Sequence, residues 1–180
     1  MRTQLTITQA TDEDIPALLA IQKNAFQAEA KIYDDYSLPP LVEAVDEMTA
    51  AGKTGIILKA GLNGVPVGSV RAKQNGNICE IGRLSVTPNY QRQGIGRALL
   101  KACETVFPET HACELFTGNQ SLANIKLYES LGYRRAKGPV PSANRCGGNV
   151  TLIHFQKHIS KTITATAAQA AAQAAPAPNG

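Results

Sequence analysis

The chain alternates between apolar and polar positions in a way that predicts its elements before any composition is considered. Gln4–Thr8 alternates with period two and predicts a first strand. Thr11, Asp12, Glu13 and Asp14 then supply N-cap and first-turn acids, and Pro16 is tolerated only in the first turn of a helix, so a helix is expected to begin near Asp14. Ile15, Leu18, Leu19, Gln22 and Phe26 fall on one face of it, and only Gln22 is polar. The segment IYDDYSLPP (32–40) breaks this periodicity, and Leu41–Met48 predicts a short second helix.

Three strand-like runs follow. TGIILKAGL (54–62) and VPVGSVRAK (65–73) are joined at Asn63-Gly64, a strong hairpin signal, and NICEIGRLSV (77–86) follows a turn at QNGN. TPNYQRQG (87–94) is a loop. Ile95, Leu99, Leu100, Cys103, Val106 and Phe107 mark a third helix, HACELFTG (111–118) another strand, and Ser121–Leu131 a helix stopped by Gly132. GPVPSANRCGGN (138–149) is rich in turn formers and predicts a loop inside a hairpin closed by VTLIHFQKHI (150–159). The basic run YRRAK reads as a solvated strand edge. The resulting order is β-α-α-β-β-β-α-β-α-β, with an optional further strand. This is an α/β pattern (α+β by some schemes): one mixed, mostly antiparallel sheet of about six or seven strands, flanked by about four helices.

Composition then sets the boundaries. With 180 residues, 43% of them hydrophobic, the chain can build one domain with a real core. From Ser160 the sequence changes to an alanine-rich stretch with Ile163 as its one large apolar residue. Such a segment has no core face to bury, so residues 1–159 are expected to form the domain and 160–180 a disordered tail. A net charge of +4 suits an anionic ligand. Aromatic residues make up only 5% and do not interleave with basic ones, which argues against nucleic acid. Cys79, Cys103, Cys113 and Cys146 form no C-x-x-C pair, and His111, His154 and His158 complete no zinc spacing, so buried free thiols and no metal are expected. MRTQLTITQATDED lacks the apolar core of a signal peptide, and no apolar run reaches membrane-spanning length. A soluble, reducing, cytoplasmic setting is the expectation.

The densest chemistry lies at YQRQGIGRALL (90–100). Two glycines and several polar or cationic residues sit where the third helix begins. The first N–H groups of a helix have no internal partner and, with the helix dipole, attract anions. Glycine lets a phosphate approach the backbone, and Arg92 and Arg97 can add charged hydrogen bonds. Arg97-Ala98 after Gly96 rules out a Walker A loop, and Leu99 replaces the third glycine of a dinucleotide fingerprint. On the loop alone, an ordinary strand-to-helix turn with surface arginines remains an equal alternative.

LSVTPNYQRQGIGRALL resembles the cofactor-binding motif of the GNAT superfamily of acyl-CoA-dependent N-acyltransferases, Gln/Arg-x-x-Gly-x-Gly/Ala, here Gln91-Arg92-Gln93-Gly94-Ile95-Gly96. NIKLYESLGY (124–133) resembles that family's second signature, and the element order matches over residues 3 to 158. The resemblance implies that Gln91 to Arg97 wrap the pyrophosphate of acetyl-CoA. It implies that backbone groups of Leu84, Ser85 and Val86 bind the pantetheine arm, and that Asn124 contacts the cofactor. Tyr128, on one helical face with Asn124, is implied as proton donor to the departing thiolate.

Glu80 is the candidate base. Period-two counting places it on one face with Gly82, Leu84 and Val86, and a carboxylate on a largely apolar strand tends toward a raised pKa. Solvent, or a pairing with Arg83, remains its structural alternative. Tyr33, Asp34, Asp35 and Tyr36 fall where the family builds its acceptor wall and could receive a cationic amine; helix-capping acids in a solvated loop are the alternative. Asn119 and Ser121 read first as N-cap candidates. The implied activity is acetyl transfer from acetyl-CoA to a primary amine, of a small molecule or a peptide, in a ternary complex, by a monomer or homodimer. The alternative is a non-catalytic CoA-binding module of the same fold.

Overall fold

The computed structural model describes residues 4–138 and 150–159. The loop expected at 139–149 and the tail at 160–180 lie outside the described residues, as does Cys146. Seven strands form one sheet in the order β1-β2-β3-β4-β5-β7-β6. They are β1 (Leu5–Gln9), β2 (Ile56–Leu62), β3 (Val65–Asn75), β4 (Ile78–Val86), β5 (Ala112–Gly118), β6 (Arg134–Arg135) and β7 (Leu152–His158). β4 and β5 pair in parallel; every other neighbour is antiparallel. The mixed, mostly antiparallel sheet expected from the sequence is what forms.

The helices are α1 (Ile15–Tyr33), α2 (Pro39–Val42), α3 (Val45–Thr54), α4 (Ile95–Cys103) and α5 (Leu122–Ser130). α1 starts where Pro16 permits, and the Asp14 carboxylate anchors that start. It accepts from the Thr11 N–H at 2.8 Å and from Lys59 Nζ on β2 at 2.6 Å. The lysine bond, the Thr11 backbone bond and the Lys59 charge hold the Asp14 carboxyl below the usual carboxylate range.

The single second helix expected over Leu41–Met48 is instead two. The chain is extended at Glu43 (ψ 139°), and α3 restarts with the Glu47 carboxylate accepting from the Ala44 N–H at 2.7 Å. The break turns the Glu43 carboxylate inward, where Arg71 of β3 donates to both its oxygens at 2.7 and 2.5 Å and Gln22 Nε2 donates at 2.7 Å. A continuous helix would have lost this buried pairing. Gln22, the one polar residue on the apolar face of α1, is fully buried. Its carbonyl accepts from Arg71 at 3.2 Å. Burial alone would push Glu43 up, but the hydrogen bonds from Arg71 and Gln22, with the charges of Arg71 and Arg83, hold it below the ordinary value.

Two hydrophobic clusters form, one on each sheet face. Ile15, Leu18 and Leu19 of α1 pack with Met48 and Ile57. α4 and α5 pack with Leu58, Val70, Cys79, Ile81 and Phe155 on the other face. Cys79, Cys103 and Cys113 are buried free thiols, and burial first, then the charges of Cys113 and Glu104, pushes Cys103 up to about 12. At that value the Cys103 thiol stays protonated and inert at neutral pH. α4 ends at Cys103, so Val106 and Phe107 belong to the connection that follows it.

Candidate active site

The parallel pairing of β4 with β5 lasts only from Ile78↔Ala112 to Ile81↔Leu115. Beyond it the strands part, while β5 stays paired with β7 on its other edge along its whole length, from Ala112↔His158 to Gly118↔Leu152. A bulge assists the parting. Between Ser69↔Ser85 and Arg71↔Gly82, β4 carries one more residue than β3, and Arg83 takes a φ of +55°. A cleft of about 540 Å³ opens at the split, lined from β4 by Glu80, Gly82, Arg83 and Leu84, from β5 by Phe116, Thr117 and Gly118, and from α5 by Asn124 and Tyr128.

The bulge corrects the period-two count. Leu84 and Val86 do not share the face of Glu80; a Cβ on Gly96 of α4 would meet their side chains at 3.7 and 3.9 Å. The extra residue at Arg83 resets the alternation. Glu80 and Gly82 therefore face the α1 side of the cleft, and Leu84 and Val86 face α4. Glu80 is half-buried, and its carboxylate accepts from Asn75 Nδ2 at 2.7 Å.

Tyr128 is buried, with its ring edge-on to Phe155 at 5.8 Å and to Tyr133 at 6.3 Å. Among the described residues no protein group hydrogen-bonds its hydroxyl. Burial, and then the negative charge of Glu29, drive its phenol well above the ordinary tyrosine value, so it keeps its proton at every working pH.

Glu29 was not visible from the sequence. It lies on α1 and accepts from the Ser121 hydroxyl and from Asn124 Nδ2 at 3.4 Å. The Ser121 hydroxyl is therefore engaged by Glu29 rather than by the backbone of α5, although Ser121 does occupy the N-cap position. The spacing 22, 26, 29, 33 continues the inward stripe of α1 and is the signal that could have found it. Tyr33, next on that stripe, is buried and lines the cleft, and its hydroxyl accepts from the Gln120 N–H at 2.7 Å. Its ring lies over Gly118, where an added Cβ would fall 2.1 Å from the hydroxyl oxygen.

The rest of the expected acceptor wall faces elsewhere. Asp34 is the left-handed C-cap of α1 (φ +50°). Asp35 accepts from the Ser37 hydroxyl and N–H at 2.6 and 2.8 Å, bonds that hold its carboxyl below the usual range. Tyr36 is exposed. None of the three lines the cleft.

The glycine turn sits at the opening of α4. Gly94 is the N-cap with a φ of +85° and open space around it, and Arg92 is also left-handed at +61°. Gly94 is thus needed for its backbone geometry. Gly96 faces Leu127, Leu84 and Val86, where an added Cβ would make only ordinary contacts at 3.6–3.9 Å, so packing does not demand glycine there. Gln91 Nε2 donates to the Val86 carbonyl at 2.9 Å, Gln93 Nε2 to the Asn89 carbonyl at 3.2 Å, and Arg97 to the Ser130 hydroxyl at 2.8 Å. These bonds fasten the turn to β4 and α5 and leave the first N–H groups of α4, at Ile95, Gly96 and Arg97, without intrahelical acceptors. Among the described residues no cluster of three metal-ligating side chains exists, and no helix is long and apolar enough to cross a membrane.

A sheet split at the carboxyl ends of two parallel strands, with a helix N-terminus near the split, is the arrangement in which open α/β sheets characteristically hold ligands. The chain belongs to the Acetyltransferase (GNAT) family, which it matches over residues 16–133. It is 28% identical over 120 residues to UPF0157 protein YqkA of Bacillus subtilis (strain 168), a match covering 67% of this chain and 34% of that one. The chain therefore spans about a third of that relative's length. Its fold is shared with the ribosomal-protein-S18-alanine N-acetyltransferase of Escherichia coli, at a TM-score of 0.67 and 22% identity over 88% of this chain and 96% of that one. It is shared equally with YncA of Salmonella typhimurium, solved with its cofactor acetyl-CoA, at a TM-score of 0.65 and 23% identity over 91% and 98%.

Proposed function

We propose that the chain is an N-acetyltransferase that moves an acetyl group from acetyl-CoA to a primary amine by direct attack in a ternary complex. The observation that carries this reading is the parting of β4 and β5, which brings Glu80 and Tyr128 to the wall of one cleft beside the glycine turn. The cleft fits the cofactor. The β5-facing edge of Leu84, Ser85 and Val86 has no strand partner, and the α4 N-terminus offers free amides at the mouth. The turn from Gln91 through Arg92, Gln93, Gly94, Ile95 and Gly96 to Arg97 would hold the pyrophosphate, and Asn124, oriented by Glu29, would contact the arm. Acetyl-CoA supplies the thioester carbonyl and the leaving sulfur.

Glu80 accepts the proton that the amine must lose to become nucleophilic. The acceptor nitrogen bonds to the acetyl carbon, the carbon–sulfur bond breaks as Tyr128 donates its phenolic proton to the sulfur, and the extra proton left on the new amide nitrogen is released to restore the Tyr128 phenol. A buried phenol that holds its proton tightly is always present as a donor. Fixing both partners in the cleft contributes by orientation.

The test is thiol release from acetyl-CoA across a panel of amines, with CoA binding measured by calorimetry on the chain and on Gly94→Asp. Turnover with some amine, and loss of CoA binding in the variant, support the reading. CoA binding without turnover on any amine would point instead to a non-catalytic CoA-binding module.

A further inference from the structure

The half of the cleft on the α1 side of the sheet has apolar walls and two carboxylates. The Tyr33 ring of α1 lies over Gly118, so Phe116, two residues earlier on β5, shares that face, as does Leu152, the partner of Gly118 on β7. Phe26, Leu38 and Pro39 line the cleft from α1 and the entry to α2. Gly82, on the face of Glu80, is exposed, and no atom of the described residues lies within 4 Å of the position its Cβ would take. Its φ does not lie in the left-handed region, so the backbone does not require glycine there. Glu29 and Glu80 supply the charge. Among the described residues neither forms a salt bridge, and their hydrogen-bond donors are the neutral side chains of Ser121, Asn124 and Asn75. Both Glu29 oxygens already accept, whereas on Glu80 only Oε1 does, which leaves Oε2 for an ammonium. Arg71 and Arg83 are already engaged, Arg71 by Glu43, and Lys73, opposite Glu80 on β3, is exposed. A carboxylate on the acceptor would therefore meet Glu29 and Glu80 without a buried cation to offset it. A second ammonium would find no further free carboxylate oxygen and would lie against the apolar walls.

We propose that the acceptor is a primary amine on an apolar body, an alkyl- or aralkylamine with no carboxylate and no second charge, its nitrogen on Glu80 and its body over Gly82 between the Phe26 and Phe116 walls. This rests on the acetyltransferase reading and narrows its substrate class. The full chain is assayed with acetyl-CoA against methylamine, pentylamine, cadaverine, phenethylamine, free phenylalanine and a set of dipeptides, with products read by mass spectrometry. Phenethylamine should exceed methylamine in kcat/KM by about 10- to 100-fold, because burial of its ring is expressed in binding. Pentylamine should exceed cadaverine, and phenethylamine should exceed phenylalanine, by at least about 10-fold, because the added charge must be buried without a partner. Gly82→Val should raise the phenethylamine KM more than about 10-fold with unchanged CoA affinity and melting temperature, because it fills space that no atom of the described residues occupies. Methylamine turned over as well as phenethylamine, cadaverine or phenylalanine turned over as well as its uncharged-body counterpart, turnover of dipeptides alone, or a phenethylamine KM unmoved by Gly82→Val would each overturn the proposal. Absence of thiol release with every amine would overturn the acetyltransferase reading itself.

Discussion

Tyr128→Phe separates chemistry from packing more sharply than any other single change. The hydroxyl has no protein hydrogen-bond partner among the described residues, while the ring packs edge-on against Phe155 and Tyr133. Phenylalanine keeps the ring and those contacts. Removing the oxygen breaks no hydrogen bond, so folding stability should change by no more than about 0.5 kcal/mol. The chemical cost is of another order. A lost general acid typically lowers turnover by roughly 10²–10⁴-fold, equivalent to about 3–5 kcal/mol of transition-state stabilisation. Single-turnover acetyl transfer should therefore fall by that factor, while CoA affinity by calorimetry and the denaturant midpoint stay at wild-type values. The loss should persist as pH rises, because a more available amine cannot replace a missing proton donor. Full turnover in the variant, with chemistry shown to limit the rate, would refute the acid role. A stability loss of several kcal/mol would refute the claim that the hydroxyl is unpartnered.

Glu80→Gln should behave oppositely, lowering kcat/KM most at low pH and recovering partly as pH rises and the amine deprotonates unaided; a pH-independent loss would remove Glu80 as base. Gly118→Ala should cost about 2–4 kcal/mol, from overpacking against the buried Tyr33 ring and loss of its bond from Gln120. In a Tyr33→Ala background the same change should cost less than about 1 kcal/mol, and strict additivity in urea unfolding would contradict the contact. Glu43 has a depressed folded-state pKa, so its contribution is present above the unfolded value of about 4.3 and lost as pH falls through the folded value. Wild type should lose stability below about pH 4.5, whereas Glu43→Gln, less stable by about 3 kcal/mol at neutral pH, should show a shallower acid slope; parallel pH curves would sink the assignment.

Local chemistry made most of the fold legible in the sequence. Pro16 set the start of α1, Asn63 and Gly64 took the left-handed conformations of a tight hairpin at +50° and +84°, and Gly132 closed α5 at +88°. These signals act over a few residues, which is why periodicity and turn residues carry them. The turn at Gly94 was legible as a glycine-rich helix start, but its positive φ of +85° was supplied by the structure.

What only the tertiary structure decided lies where two distant segments meet. Period two holds along a strand only while its ladder is regular, so the Arg83 bulge, which moves Leu84 and Val86 off the face of Glu80, exists only in the pairing with β3. The split of β4 from β5 is a matter of register between two strands: their parallel pairing stops at Ile81↔Leu115, while β5 stays held on its other edge by β7, some forty residues further along the chain. Glu43 interrupts a helix because Arg71 and Gln22 wait for its carboxylate, and Glu29 meets Asn124 across 95 positions of sequence. A buried charge is settled by whichever partner folding delivers, and no local pattern names that partner.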